Sequence, residues 1–432
     1  MRKLLLASAA TIAGSLALTG GAHAQPAAAP APGTVAVYLH GNFTFAGAIT
    51  NNPTASGTKL SPLNTIGYFR LYPGFDATTK GGLQYGVASE IRDTTAAPAG
   101  AGVNGNSTSP NGTVSLYVRR AYGYVGTKDA GYLRFGQGDS AFSLMSYGDI
   151  QSFGDGQEWN SDGGVGAIVP AGHPNNLFAV TGSLYTTSKL VYVSPSFAGV
   201  NFAVGFEPNS NGINEGASVA GASAQSTIPG GSTNRRRNTI DAMLGYTVAV
   251  DGVKYQVSAG LLDASPLGGS PLTTPASVGI VGGVPAVIPA TTTAAPNYKN
   301  MTIAQFGGQV TYAGAVVGVN YKTGSVNNGY TFLLPGQRHD NDLLFSGMYT
   351  MGPIVVGASY FFNQSAGAYT VGSSYGRTQT NNGVAVGADY NIAANFTLFT
   401  QYLYGQLHQA HGTAAAANAH SNAISVGAVL KW

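Results

Sequence analysis

The chain has no cysteine, so neither a disulfide framework nor a thiolate metal site is open to it. Charge is nearly as scarce, with only 9% of its 432 residues being Asp, Glu, Lys or Arg. Setting aside Arg2 and Lys3 brings the 20 basic residues close to parity with the 17 acidic ones, which leaves no basic surplus for nucleic acid. Long hydrophobic runs are missing too: past Leu18 no stretch holds 18 consecutive apolar residues, so no later transmembrane helix is expected. Catalytic motifs are thin. Gly164-Val165-Gly166 is an isolated glycine pair, not a phosphate cradle. The histidines come no nearer to a metal spacing than His408-x-x-His411, which lacks a carboxylate partner. No cofactor is implied.

What the chain does have is 62 Gly, 24 Tyr and 18 Phe, a composition unlike that of helical proteins, which carry more Lys, Glu and Leu. A basic start, an apolar run from Leu4 to Leu18 and the small-residue site Ala22-His23-Ala24 read as a secretory signal peptide over residues 1–24. Residues 25–33 form a Pro/Ala linker without periodicity. From 34 to 432 the chain changes to period two, as in Val35, Val37, Leu39, Phe43 and Phe45 alternating with Tyr38, His40, Asn42 and Thr44. One apolar and one polar face over about ten residues is what a barrel strand crossing a bilayer needs.

The pattern predicts an all-β, antiparallel transmembrane barrel of sixteen strands: 34–47, 64–76, 81–93, 113–126, 132–139, 180–194, 198–207, 239–250, 253–263, 302–312, 315–325, 342–351, 354–364, 383–392, 396–408 and 421–432. Tight turns such as Asp251-Gly252 and Gly352-Pro353 alternate with long polar loops, the asymmetry of outer-membrane barrels and not of a soluble sandwich. A barrel this wide cannot be filled by its own side chains, so its centre becomes a water channel unless plugged. The one obstruction expected inside is the longest loop, 140–179. In the last strand Ile424, Val426, Ala428, Leu430 and Trp432 share a face, and pairing with the first strand removes an exposed edge.

Charge is concentrated where a pore would narrow. Arg-bearing strands around 117–122 and 132–136 precede a segment holding Asp139, Asp149, Asp155, Glu158 and Asp162, five carboxylates in 24 residues. Either these acids face the arginines across a confined space, or they belong to a solvated surface loop.

Arg119-Arg120-Ala121-Tyr122, followed by Gly126 and by Gly131-Tyr132-Leu133-Arg134-Phe135-Gly136, resembles a hairpin of the general porins of Gram-negative outer membranes, proteobacterial and neisserial type. Tyr192-Val193-Ser194-Pro195-Ser196-Phe197-Ala198-Gly199 is similar to that family's Tyr-x-Ser-Pro-x-Phe-x-Gly turn, and Trp432 to its terminal aromatic, a signal for the barrel-assembly machinery. The resemblance implies a passive channel for small hydrophilic solutes, a homotrimer, and a third loop folded inward. On that reading Asp139, Asp149, Asp155, Glu158 and Asp162 face a wall of Arg70, Arg92, Arg119, Arg134 and Lys189. Alternation independently turns several of these away from the apolar face: Arg70 lies between Phe69 and Leu71, Arg134 between Leu133 and Phe135, and Arg92 shares parity with Glu90.

Arg120 shares parity with Val114, Leu116 and Val118, which points it outward to a subunit contact unless a bulge brings it in; facing lipid it would cost about 2–4 kcal/mol. Arg235-Arg236-Arg237 is expected in a long loop at the outer rim, either against lipopolysaccharide phosphate or simply solvated. The segment 264–299 is rich in Pro, Thr, Ala, Val and Gly, and nothing in it decides a role. A surface adhesin or receptor, or a barrel hydrolase, stands as the alternative.

Overall fold

The computed structural model describes residues 30–51, 54–55, 58–59, 61–94, 115–156, 187–210, 212–213, 236–266, 272–274, 276–281, 284–293, 297–327, 330–367, 378–409 and 418–432. Among them sixteen antiparallel strands close into a barrel in which every strand pairs with its neighbours in sequence. These are β1 (Val35–Thr50), β2 (Leu63–Thr78), β3 (Gln84–Thr94), β4 (Ser115–Thr127), β5 (Gly131–Gly138), β6 (Thr187–Val193), β7 (Val200–Asn209) and β8 (Arg236–Val250). The ring continues through β9 (Val253–Pro266), β10 (Met301–Tyr312), β11 (Ala315–Gly324), β12 (Asp340–Met351), β13 (Ile354–Ala366), β14 (Thr378–Ala393), β15 (Phe396–Gln409) and β16 (Asn418–Lys431). No described helix is long and apolar enough to cross a membrane.

Closure pairs β1 with β16 from Asn42↔Lys431 to Thr50↔Ala423. Trp432 extends the seam by exchanging backbone hydrogen bonds with Gly41, both at 3.1 Å, and its ring lies 5.8 Å from that of Phe69. The turns at this rim are tight because their residues accept left-handed backbone. Asp251 (φ 50°) and Gly252 (φ 80°) join Val250 to its partner Val253, the geometry whose twist matches that of the flanking strands.

Alternation sorts the two faces. Phe45, Leu244, Leu261, Val317, Phe345 and Val426 are exposed on the outside, and near the tight turns Tyr255, Tyr312, Tyr349, Tyr390 and Trp432 form an aromatic girdle suited to a bilayer boundary. The segment after β9, undecided by sequence, contains a narrow hairpin arm: Leu272–Thr274 pairs with Thr291–Thr293, and Ser277–Val281 with Val284–Ile288.

The interior is not uniformly polar. Inward residues Val191, Met243, Leu262, Met301 and Ile303 form a buried cluster with Phe142 and Met145 from the chain after β5, and with Val326, Tyr330 and Phe332 from the β11–β12 connection. Among the described residues two loops, not one, therefore pack inside the barrel, which corrects the expectation of a single internal obstruction.

The chain leaving β5 makes one helical turn, α1 (Ala141–Leu144), whose Ser140 Oγ accepts from the Ser143 amide. It then follows the inner wall from β8 to β15, held by side chains that reach its backbone. The amides of Phe142, Tyr147, Ile150, Gly154 and Asp155 donate in turn to Asp241 (2.6 Å), Ser258 (3.1 Å), Ser346 (3.0 Å), Asp389 (2.8 Å) and Gln401 (2.8 Å). Asn320 donates to the Tyr147 carbonyl at 2.6 Å. Such bonds matter because a backbone amide buried without an acceptor costs about 1–3 kcal/mol. The wall is also shaped for close approach: a Cβ at Gly307 would sit 2.1 Å from the Tyr147 carbonyl oxygen, and one at Gly357 would sit 2.1 Å from the Phe153 ring.

Gly357→Val is accordingly expected to dislodge Phe153 and loosen this segment. Limited chymotrypsin digestion of the refolded protein should reveal new cleavage after Phe142, Tyr147 or Phe153 in the variant alone. An unchanged digestion pattern would show that the seat does not depend on this glycine.

Candidate pore constriction

Arginines reach the inner wall of β2–β5 from alternate positions, and a bulge adds one more. The β3–β4 register runs Glu90↔Arg120 and then Ile91↔Val118, so Arg119 is the extra residue. The bulge turns both Arg119 and Arg120 inward, where they are buried. This corrects the expectation of a subunit contact: Arg120 bonds Glu90 at 2.9 Å and Asp139 at 3.0 Å.

Glu90 is shared. It contacts Arg92, two positions along β3, and lies 3.8 Å from Arg119. Asp139 also lies 3.8 Å from Arg134, whose guanidinium carbon stands 4.2 Å above the centre of the Tyr122 ring. Four arginines are thus arranged around two carboxylates, with Arg70 beside them as the cross-strand partner of Arg92. Arg70 is half-buried and lies 4.3 Å over the Tyr68 ring.

A second group sits on β6–β8 toward the long-loop rim. Lys189 Nζ donates to the Gly138 carbonyl (3.0 Å) and Thr187 Oγ1 (2.8 Å), and lies 3.6 Å from Glu207. Arg236 Nε reaches Glu207 at 3.1 Å. Arg236 is buried in β8, so it is neither a rim contact nor a solvated loop residue; Arg237 is exposed, and Arg235 lies outside the described residues.

The remaining predicted acids are elsewhere. Asp149 and Asp155 lie across the barrel, on the chain that follows β8–β15. Asp149 accepts from Gln151 Nε2 at 2.5 Å, and the protein surrounding it pushes its carboxyl above the usual range, against the opposing pull of that hydrogen bond and of Lys322. Asp155 is buried, next to Asp389 in the electrostatics of that wall. Glu158 and Asp162 lie outside the described residues.

Several charged groups escaped the sequence reading. Asp340 and Asp342 on β12 are buried beside Lys322 of β11, with Lys322↔Asp342 as direct Cα partners and Asn363 Nδ2 donating to Asp340 Oδ1 at 2.9 Å. Asp389 and Lys431 complete that side. Parity was the available signal, since each sits on the polar phase of its strand. Among the described residues no group of three His, Asp or Glu could hold a metal ion.

The inner charges therefore separate by side. Among the described residues, Arg70, Arg92, Arg119, Arg120, Arg134 and Lys189 outnumber the inward acids Asp76, Glu90 and Asp139 along β2–β6. Across the barrel, Asp149, Asp155, Asp340, Asp342 and Asp389 outnumber Lys254, Lys322 and Lys431.

Among solved structures the fold is similar to the anion-selective porin from Comamonas acidovorans, with a TM-score of 0.53 at 11% identity over 92% of this chain and 100% of that one. It is also similar to OmpT, an outer membrane protein of Vibrio cholerae, with a TM-score of 0.52 at 13% identity over 94% of this chain and 100% of that one. The trimer form of that protein gives 0.51 at 13% identity, over 92% and 100% of the two chains. No curated protein matches the sequence. The family model for Gram-negative porins matches residues 7–429, nearly the full length, and so the chain belongs to the Gram-negative porins, the diffusion channels of the outer membrane.

Proposed function

We propose that small hydrophilic solutes cross this channel passively, oriented at its waist by the field between the arginine-rich wall and the acid-rich one. The observation that carries this is the sorting of inner charges, with Arg120 and its neighbours on β2–β5 and Asp149 opposite. In this reading Arg70, Arg92, Arg119, Arg134 and Lys189 form the basic wall, joined by Arg120. Asp149 and Asp155 supply negative charge from the loop, with Glu158 and Asp162 further along it, while Asp139 tunes the arginines it touches. The channel performs no chemistry on what it passes and needs neither cofactor nor energy source.

The assembly is a homotrimer, a reading supported by likeness to a Vibrio cholerae protein whose structure is titled as a trimer form. Export is directed by residues 1–24, followed by the linker 25–33, and barrel-assembly machinery engages the terminal strand with Trp432. Exposed Arg237 at the long-loop rim suits lipopolysaccharide phosphate. Nucleic acid is not a partner.

In planar bilayers the refolded protein should show a large, stable open conductance; properly folded protein that never conducts would remove the reading and favour an adhesin or enzyme. A second expectation concerns pH. Because the Asp149 carboxyl is held above the usual range, it takes up its proton before ordinary carboxylates as pH falls. Loss of that negative charge should raise the anion-to-cation permeability ratio while surface acids are still ionised. Asp149→Asn should start with a higher ratio and show a smaller rise over the same interval. Reversal potentials that follow the same pH curve in both proteins would rule out Asp149 as a selectivity group.

A further inference from the structure

One stretch of the inner wall combines cations with aromatic rings in a way that a field across the waist does not require. On β1 and β2 the inward residues meet as cross-strand pairs: Tyr38↔Gly74, His40↔Tyr72, Asn42↔Arg70 and Thr44↔Tyr68. Tyr38 and His40 stack, with centroids 5.2 Å apart and planes within 22°. The Tyr38 ring reaches across β2 because residue 74 is glycine; a Cβ there would stand 2.4 Å from Tyr38 Oη. His40 is exposed, and Tyr38, Arg70 and Tyr72 are half-buried, so the bore reaches all four.

The cationic half lies one row away. Arg70 is half-buried and carried over the Tyr68 ring at 4.3 Å, a contact that holds the guanidinium in place beside the bore. Arg92 is its cross-strand neighbour. Successive inward rows of a strand are about 7 Å apart, so one small molecule can touch both rows.

Ring faces attract a planar ring, and a guanidinium grips a carboxylate through paired N–H donors. We propose that this strip is a subsite for small aromatic carboxylates, the ring lying on His40, Tyr38 and Tyr72 and the carboxylate on Arg70, with buried Arg92 behind it adding positive charge. The inference rests on the channel reading above and gives it a preferred class of solute. A saturated ring of the same charge and similar size gains the arginine contact and loses the stacking, which separates recognition from simple anion attraction.

The test uses the full-length refolded protein in planar bilayers in potassium chloride, with benzoate or cyclohexanecarboxylate added. Benzoate is expected to interrupt the single-channel current at concentrations about fivefold to tenfold lower than cyclohexanecarboxylate. Replacing His40 and Tyr72 together by Leu should abolish that difference while the channel still conducts. Arg70→Gln, a milder change that keeps the platform, should weaken both anions alike. Equal interruption by the two acids in the unaltered protein overturns the subsite, as does a benzoate preference that survives the double replacement. In either case an open, conducting pore leaves the channel reading standing. A folded protein without any conductance overturns that reading and the subsite together.

Discussion

A bilayer offers no water to the peptide backbone, and that constraint governs the molecule. Each buried N–H and C=O must find a partner within the protein, and a sheet achieves this only when it has no edge. The seam between β1 and β16, extended by Trp432 against Gly41, is therefore the condition on which the other strand pairings depend. Once the ring is closed, alternation does the rest: one phase of each strand meets lipid, and the other is free to be charged.

Closure at sixteen strands leaves more room than wall side chains can fill, and the protein uses the surplus in two ways. Along β8–β15 polar wall residues act as acceptors for an incoming backbone, so the segment after β5 lies against the barrel much as an additional irregular strand would. Toward the long-loop rim, Met243, Leu262, Met301 and Ile303 instead meet Phe142, Tyr330 and Phe332 in a miniature hydrophobic core. One side of the bore is thus lined by rigid contacts, and the arginine network on the other is held by shared carboxylates. Breaking a buried arrangement of that kind by removing one partner typically costs about 3–5 kcal/mol.

Much of this was legible beforehand. Period-two patterning gave sixteen strands and the alternation of tight turns with long loops, because both follow from local geometry. The inward placement of Arg70, Arg92 and Arg134 followed from counting parity. Arg120 failed that test, since a one-residue insertion shifts the count and leaves no mark in composition when both residues at the bulge are arginine. Arg236 was read as a loop residue because β8 extends beyond its apolar stretch. The seat for the inner chain could not be read at all: Gly307 and Gly357 look like ordinary strand glycines until the segment they accommodate, some two hundred residues away for Gly357, is placed against them. The inner apolar cluster left a fainter sign, in strands such as Gly260-Leu261-Leu262 where both phases are greasy.

The irregularity in β4 also affects how the strand tolerates change. Tyr122 and Tyr124 face inward, and Ala121 and Gly123 outward, only because one residue is spent at Arg119. Most single replacements there would alter one contact. Losing Arg119 would let Glu90↔Arg120 and Ile91↔Val118 run on as a regular ladder with both phenols still facing inward, whereas gaining a residue after Arg120 would turn the phenols away from their partners Asp76 and Arg134. Length past the bulge, more than identity, is what this strand has to preserve.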